Sequence, residues 1–230
     1  MGITGEIRGF LQEQGCTIVG FANLCVLPID VRRGHANGIL LGLPYTTVAM
    51  AENRSGRPAR YYAEYTAMNE RLPVLAEQTA QLLASHGYKA EPNTQTTVSK
   101  AGDYRTVLPH KTVATLSGVG WIGKCATLVT KEIGAALRLN VVLTDAPVEC
   151  GTPITESKCP EFCQICAKIC PGGAPSGIPW KRGIDRNEFF DVHACFDAAQ
   201  ERARSLLQIE KTVCGLCIAN CPFTREGLGY

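Results

Sequence analysis

Hydrophobic and polar positions recur along this chain with helical and strand periods, and the pattern changes near residue 150. Ile3, Ile7, Phe10 and Leu11 predict an amphipathic helix over residues 1–14. TIVGFA (17–22) and GILLGLPY (38–45) read as strands, and the second is apolar without a break, as a strand buried on both faces would be. TTVAMA (46–51) extends that sheet on this reading, and NRSGRPAR (53–60) is a loop. Tyr61, Tyr65, Met68, Leu72, Leu75 and Leu82 set a second helical stripe over 59–86. Pro73 is expected to kink or split it, and Gly87 suits its C-terminal cap. The polar stretch 91–103 predicts a loop. Pro109 opens a short helix through HKTVATLSG, and RLNVVLTD (138–145) is a strand.

A length of 230 residues with 45% hydrophobic content supports one good core, or a core with a small satellite. The net charge of +2 gives no general electrostatic case for nucleic acid or an anionic membrane. The short basic patches Arg32-Arg33, Arg54/Arg57/Arg60 and Lys181-Arg182 read as solvated surface. No apolar run reaches the ~18 residues of a membrane span. Residues 1–15 carry Glu6 and Glu13 and lack the apolar core of a secretory signal. Glu6 also stands where myristoylation needs Ser or Thr. The expectation is a soluble, cytoplasmic protein.

Twelve cysteines change the picture, because clustered thiols in a cytosolic chain usually mean metal. Eight follow residue 150, which marks the expected boundary between domains 1–149 and 150–230. The first cluster is Cys159-x3-Cys163-x2-Cys166-x3-Cys170-Pro171, the second is Cys214-x2-Cys217-x3-Cys221-Pro222, and Cys195 lies between. Eight thiolates are what two [4Fe-4S] cubanes need. Two-residue gaps wrap three sulfurs around one cluster, and the fourth, before proline, ligates the neighbouring one. On that pattern one cluster takes Cys159, Cys163, Cys166 and Cys221, and the other takes Cys170, Cys195, Cys214 and Cys217. The three-residue gap after Cys159 departs from the usual two. Structural zinc also uses Cys-x2-Cys pairs but does not call for two Cys-Pro endings. A disulfide scaffold is at odds with a chain of this length without an export signal.

SGVGWIGK (117–124) holds a Gly-x-Gly-x-x-Gly string at Gly118, Gly120 and Gly123, with Asp145 some twenty residues on. A dinucleotide site needs a strand before this string and a helix after it. Here Pro109, Val113 and Leu116 favour a helix before it. The following segment favours a strand pair with a turn at Lys131–Gly134. A flavin or nicotinamide at Gly118–Gly123 is the remaining alternative. The glycines let a backbone approach a bulky ligand closely, and Lys124 and Trp121 are candidates to line that site.

With LPHKTVATLSGVGWIGKCATLVT, then RLNVVLTDAPVEC, then the ordered cysteines, the chain resembles the epoxyqueuosine reductase and reductive dehalogenase superfamily of cobalamin-dependent, double [4Fe-4S] reductases. The likeness is loose before residue 90 and good from Pro109 to Pro222. It implies an α+β protein: a nitroreductase-like α/β core holding cobalamin, with a ferredoxin-like double-cluster domain packed over it. It places the cofactor against Gly118, Gly120, Trp121, Ile122, Gly123, Lys124, Thr144 and Asp145. It implies electrons delivered by a low-potential donor of ferredoxin or flavodoxin type, passed through the clusters to cobalt, and spent on an electrophilic small-molecule or protein-bound substrate. Cobalt would have no histidine ligand, in keeping with Asp191-x-His193-x-x-Phe196, which only half-matches the corrinoid signature.

Several positions depart from the family. Epoxyqueuosine reductases carry a C-terminal helical-repeat extension that helps hold tRNA. This sequence stops at Tyr230, so tRNA is not the expected substrate. The family's proton-donating acid falls near Asp103 or Tyr104. His110 replaces a usual glutamate and Cys125 a usual asparagine. Tyr104, Asp103 and His110 are the candidate proton donors. Cys125 reads either as a reactive thiol near the cofactor or as a buried inert one. A reading from another class, an electron-transfer module with no substrate pocket, stands beside the reductase reading.

Overall fold

A computed structural model describes residues 2–94 and 102–230. Residues 95–101, within the loop expected over 91–103, lie outside the described residues. The unbroken apolar run becomes strand β2 (Asn37–Pro44), the second of four in an antiparallel sheet ordered β1-β2-β6-β3, with β1 at Ile18–Asn23, β3 at Ala90–Pro92 and β6 at Leu137–Thr144. Both faces of β2 are covered, which is why its sequence does not alternate. Val19, Phe21, Ile39, Leu41, Leu43 and Val142 face one layer, made by α1 (Ile3–Glu13) and α3 (Ala59–Ser85). Ile18, Leu40, Val141 and Leu143 face the other, where α4 (His110–Leu116) supplies Val113, Ala114 and Leu116. The approach of α4 is close: a Cβ on Gly20 would lie 2.4 Å from the Ser117 hydroxyl. The α+β class is as the family likeness implied.

Two expectations are corrected. TTVAMA does not extend the sheet but opens helix α2 (Thr47–Arg54). Thr46 caps it, its hydroxyl accepting from the Ala49 amide while its own amide and hydroxyl donate to Glu64. This local capping outweighs the strand preference of the threonines and valine. Pro73 does not split α3, which runs unbroken for 27 residues. Proline removes one helical hydrogen bond at a cost of about 3 kcal/mol. Burial of Met68, Leu72, Leu75 and Ala76 on either side offsets it. Gly87, at φ +83°, follows the helix end as expected.

The expected strand pair after the glycine loop is present. β4 (Trp121–Ile122) pairs with β5 (Leu128–Val129), and Thr130 bridges Gly134 across the turn into β6. Beyond β6 the chain has no sheet. It forms α5 (Ile165–Ile169), a single 3₁₀ turn (Arg186–Glu188), α6 (Val192–Leu207), α7 (Leu216–Ala219) and α8 (Pro222–Leu228). Asp191 caps α6 and Pro222 begins α8. Ala203, Val213 and Ala219 pack into the same apolar cluster as α1 and α3, so residues on both sides of Cys150 share a core. Among the described residues no helix is long and apolar enough to cross a membrane.

Candidate functional site

The eight thiols after Cys150 lie in loops and helices of the C-terminal half, Cys166 on α5, Cys195 on α6 and Cys217 on α7, and none of the twelve cysteines is in a disulfide. Mutual electrostatic influence sorts them into two sets. Cys166 lies within reach of Cys159 and Cys163, and Cys221 of Cys159. Cys195 lies within reach of Cys170 and Cys214, and Cys217 of Cys214 and Cys195. Among the described residues no group of three or more His, Cys, Asp or Glu side chains is close enough together to hold a metal ion as it stands. Burial pushes the Cys195 and Cys221 thiols up to about 11 and raises Cys214 as well. Sulfurs so placed are held as thiolates only beside a cation. Eight thiols in two sets, with Cys221 and Cys159 of the first set packed among Trp121, Val129, Ile154, Ile218 and Phe223, are a donor set suited to two iron–sulfur clusters.

Cys125 stands between the two sets. Hydrogen bonds with Cys166 and Cys217, then with Thr127, draw its thiol well below the ordinary range. Its Sγ lies 2.9 Å from the Thr127 hydroxyl. The same contacts, then burial, hold Cys166 and Cys217 up. Of the remaining cysteines, Cys16 is buried among apolar side chains, while Cys25 and Cys150 are exposed.

Lys124 is one of the few fully enclosed charges. Its Nζ donates to the carbonyls of Pro160, Glu161 and Cys163 at 3.1, 2.8 and 3.0 Å. It is a clamp on the first cysteine loop. The glycines before it serve chain packing. A Cβ on Gly118 would lie 2.3 Å from the Thr152 carbonyl, and one on Gly120 2.3 Å from that of Val129. Thr144 and Asp145 are also engaged: the Thr144 hydroxyl donates to the Lys89 carbonyl, and the Asp145 carboxylate accepts from the Lys89 amide.

A cavity of about 780 Å³ lies between α4, the hairpin, β6 and the 180–189 segment. Its apolar walls include Leu116, Ile122, Leu128, Leu137 and Leu139, and Lys111, Thr112, Thr115 and Thr127 give it polar points. Trp180, Phe189, Arg182 and Arg186 come from the cysteine-rich half. Of the residues expected to hold a cofactor, only Ile122 lines this cavity. Its size and mixed lining suit a large ligand with a polar fringe. His110 lines it but offers no free nitrogen: Nε2 meets the Asn93 carbonyl at 2.7 Å and Nδ1 that of Leu139 at 3.1 Å. Burial pushes its pKa down.

Tyr104 and Asp103 occupy successive left-handed positions, φ +50° and +53°, beside the cavity. Asp103 is locked in place. Its carboxylate accepts from Asn187, Arg105, Arg186 and His193 at 2.8, 3.1, 2.8 and 2.9 Å. The Asn187 bond foremost, with Arg105, Arg186 and His193, lowers its pKa to about 2. Tyr104 lines the cavity and stacks on Phe196, ring centroids 4.8 Å apart. Phe196 adjoins Cys195, so α6 links the tyrosine to the second thiol set. Lys111 adds a second link. It lines the cavity, donates from Nζ to the Ala126 carbonyl, and acts electrostatically on Cys195 and Cys125. Sequence reasoning missed Lys111, although it belongs to the HK pair of the family-like string, and missed Arg186, which no pattern marked.

No family model matches the chain. It is 32% identical over 122 residues to epoxyqueuosine reductase of Atelocyanobacterium thalassa, covering 52% of this chain and 38% of that protein. It is 29% identical over 119 residues to the Escherichia coli epoxyqueuosine reductase, covering 50% and 30%. The chain therefore spans about a third of the length of the curated relatives it matches. Among solved structures it aligns with a catabolic reductive dehalogenase in complex with 3-bromo-4-hydroxybenzoic acid, at TM-score 0.63 and 19% identity, covering 97% of this chain and 32% of that one. It aligns with an epoxyqueuosine reductase from Bacillus subtilis at TM-score 0.62 and 16% identity, covering 96% and 65%. The resemblance drawn from the GVGWIGK string and the cysteines thus holds, and the fold is shared by both groups.

Proposed function

We propose that this chain is a cytoplasmic iron–sulfur reductase of the epoxyqueuosine reductase-like type. Cys159, Cys163, Cys166 and Cys221 would hold one [4Fe-4S] cluster, and Cys170, Cys195, Cys214 and Cys217 a second. Cobalamin would occupy the cavity between α4 and the 180–189 segment. The observation that carries this reading is the sorting of eight half-buried or buried thiols into two sets beside that cavity. Bound there, these groups supply one-electron transfer and a strongly nucleophilic, low-valent cobalt.

The chain's own residues supply position, charge and a proton. Lys111 places a half-buried amine between the cavity and the second thiol set; burial pushes its pKa down and the negative charge of Cys125 and Cys195 pushes it up, so the ammonium and added negative charge there favour each other. Tyr104 is the proton donor at the cavity, its ring fixed by Phe196. Asp103 stays ionised above about pH 2 and therefore positions the tyrosine through its left-handed turn and does not protonate the substrate. His110, with both nitrogens facing carbonyls, holds β6 to the Asn93 segment. Trp180 and Phe189 shield the cavity from water. The substrate is an electrophile, a small molecule or one carried on a larger partner. A pure electron-transfer module has no use for a cavity of this size.

Anaerobic purification followed by iron and cobalt analysis tests the assignment. About eight irons per chain and retention of added cobalamin are expected. Zinc at the thiols, or no uptake of any corrinoid, removes it. Tyr104→Phe should retain both groups and abolish turnover, whereas Asp103→Asn should keep a measurable fraction.

A further inference from the structure

A second cavity, about 610 Å³, opens on the opposite side of the glycine loop. Trp121 and Ile154 form its apolar floor, and Arg8, Lys131 and Lys158 stand around it with Glu132. Among the described residues no carboxylate pairs with Arg8 or Lys131. The Arg8 guanidinium donates to the Val19 carbonyl and stacks over Phe21. Lys158 pairs with Glu156, an exposed contact of little strength. The indole nitrogen of Trp121 is buried and finds no hydrogen-bond partner among the described residues. The rest of that ring belongs to the apolar cluster containing Cys221, with Cys159 and Phe223 packed against it. One aromatic side chain thus separates a cationic cleft from two sulfurs of the first thiol set.

We propose that this cleft is where the electron donor docks, and that the donor is an acidic protein carrying a one-electron centre near its surface. The inference rests on the assignment of the first thiol set to a [4Fe-4S] cluster. Unpaired cations around a concave apolar floor steer an acidic partner and fix its orientation without demanding a large interface. One electron leaves the donor's reduced centre and converts the first cluster from the 2+ to the 1+ state, and no proton moves. The cavity lined by Tyr104 is then left free for substrate, because donor and substrate use different faces.

The test uses the reconstituted holoprotein and a reduced acidic two-iron ferredoxin, with bleaching of cluster absorption followed by stopped flow. Lys131→Glu should slow bleaching about tenfold at low salt, and the difference should vanish as salt rises. Reduced methyl viologen, a cation, should bleach the variant at least as fast as wild type, which shows that its clusters are intact. Titration with oxidised ferredoxin should show weaker, less salt-dependent binding to the variant. Phe162→Ser, at the other exposed edge of the first cysteine loop, should leave the ferredoxin rate unchanged. Equal ferredoxin rates for wild type and Lys131→Glu overturn the docking site, as does slowing by Phe162→Ser instead. A protein with no visible chromophore to bleach refutes the cluster assignment itself.

Discussion

Ile39, Leu40 and Leu41 on β2 are wholly buried, whereas Phe162, Ile165 and Ile169, just as apolar, stand exposed around α5. The difference lies in what each segment is given to pack against. β2 has a strand on either side and a helical layer on each face, so nearly every side chain meets another. The cysteine-rich stretch has helices of four to seven residues on either side of α6, too short to present a continuous apolar stripe. Its order rests on clamps such as Lys124, on small apolar clusters such as that of Ala126, Trp180 and Phe189, on the side chains that reach the α1–α3 core, and, on the proposed assignment, on ligation. Apolar burial builds the first region; on the proposed cluster assignment, thiolate ligation builds the second.

Removing iron is the harshest way to test that contrast. Chelation should abolish hydrogen-exchange protection in α5, α7 and α8 while β1, β2 and β6 stay protected. Equal protection with and without iron would show that the contrast is false. Leu41→Ala should destabilise the protein by about 3 kcal/mol, whereas Phe162→Ala should stay within roughly 0.5 kcal/mol, both read from denaturant midpoints. Lys124→Met should cost about 2 kcal/mol, because the carbonyls of Pro160, Glu161 and Cys163 lose a shared charged donor from an enclosed side chain. Iron content should fall first at the Cys159–Cys166 loop. An unaltered iron content would return Lys124 to a packing role.

Smaller effects sharpen the link between the two regions. Lys111→Met should make the second cluster harder to reduce, on the order of 50 mV, about a tenfold change in a one-electron equilibrium. A redox titration showing no shift would place Lys111 too far from that cluster to matter. The smallest effect is the pH response of His110. Its folded pKa is lowered by burial, so the unfolded chain takes up its proton first. The stabilising contribution is whole above about pH 6.5 and declines as pH falls below it toward the folded pKa. Urea midpoints at pH 7.5 and 5.5 should converge in His110→Gln relative to wild type.

The strands at 18–23, 37–44 and 137–144 were legible because their apolar patterning is local and strong. The two Cys-Pro runs stood out because their spacing is the kind that metal ligation demands, and the structure sorts their thiols into two sets. The helix at Thr47 was missed because a capping hydroxyl and Glu64, distant in sequence, decide it together. What packs against Gly118 and Gly120 was not legible for the same kind of reason: sequence shows that a Cβ is missing but not what presses on the gap.

By itself the sequence determined which side chains could hold metal, where the sheet would form and which family the chain resembles, since each follows from residue type and spacing along the backbone. Only the tertiary structure decided that Lys124 clamps a loop, that Asp103 is held ionised, that Tyr104 stacks on Phe196, and that Lys111 lies between a cavity and a thiol. Those are facts about neighbours brought together by folding from positions tens of residues apart, and charge, burial and proton affinity are set by neighbours.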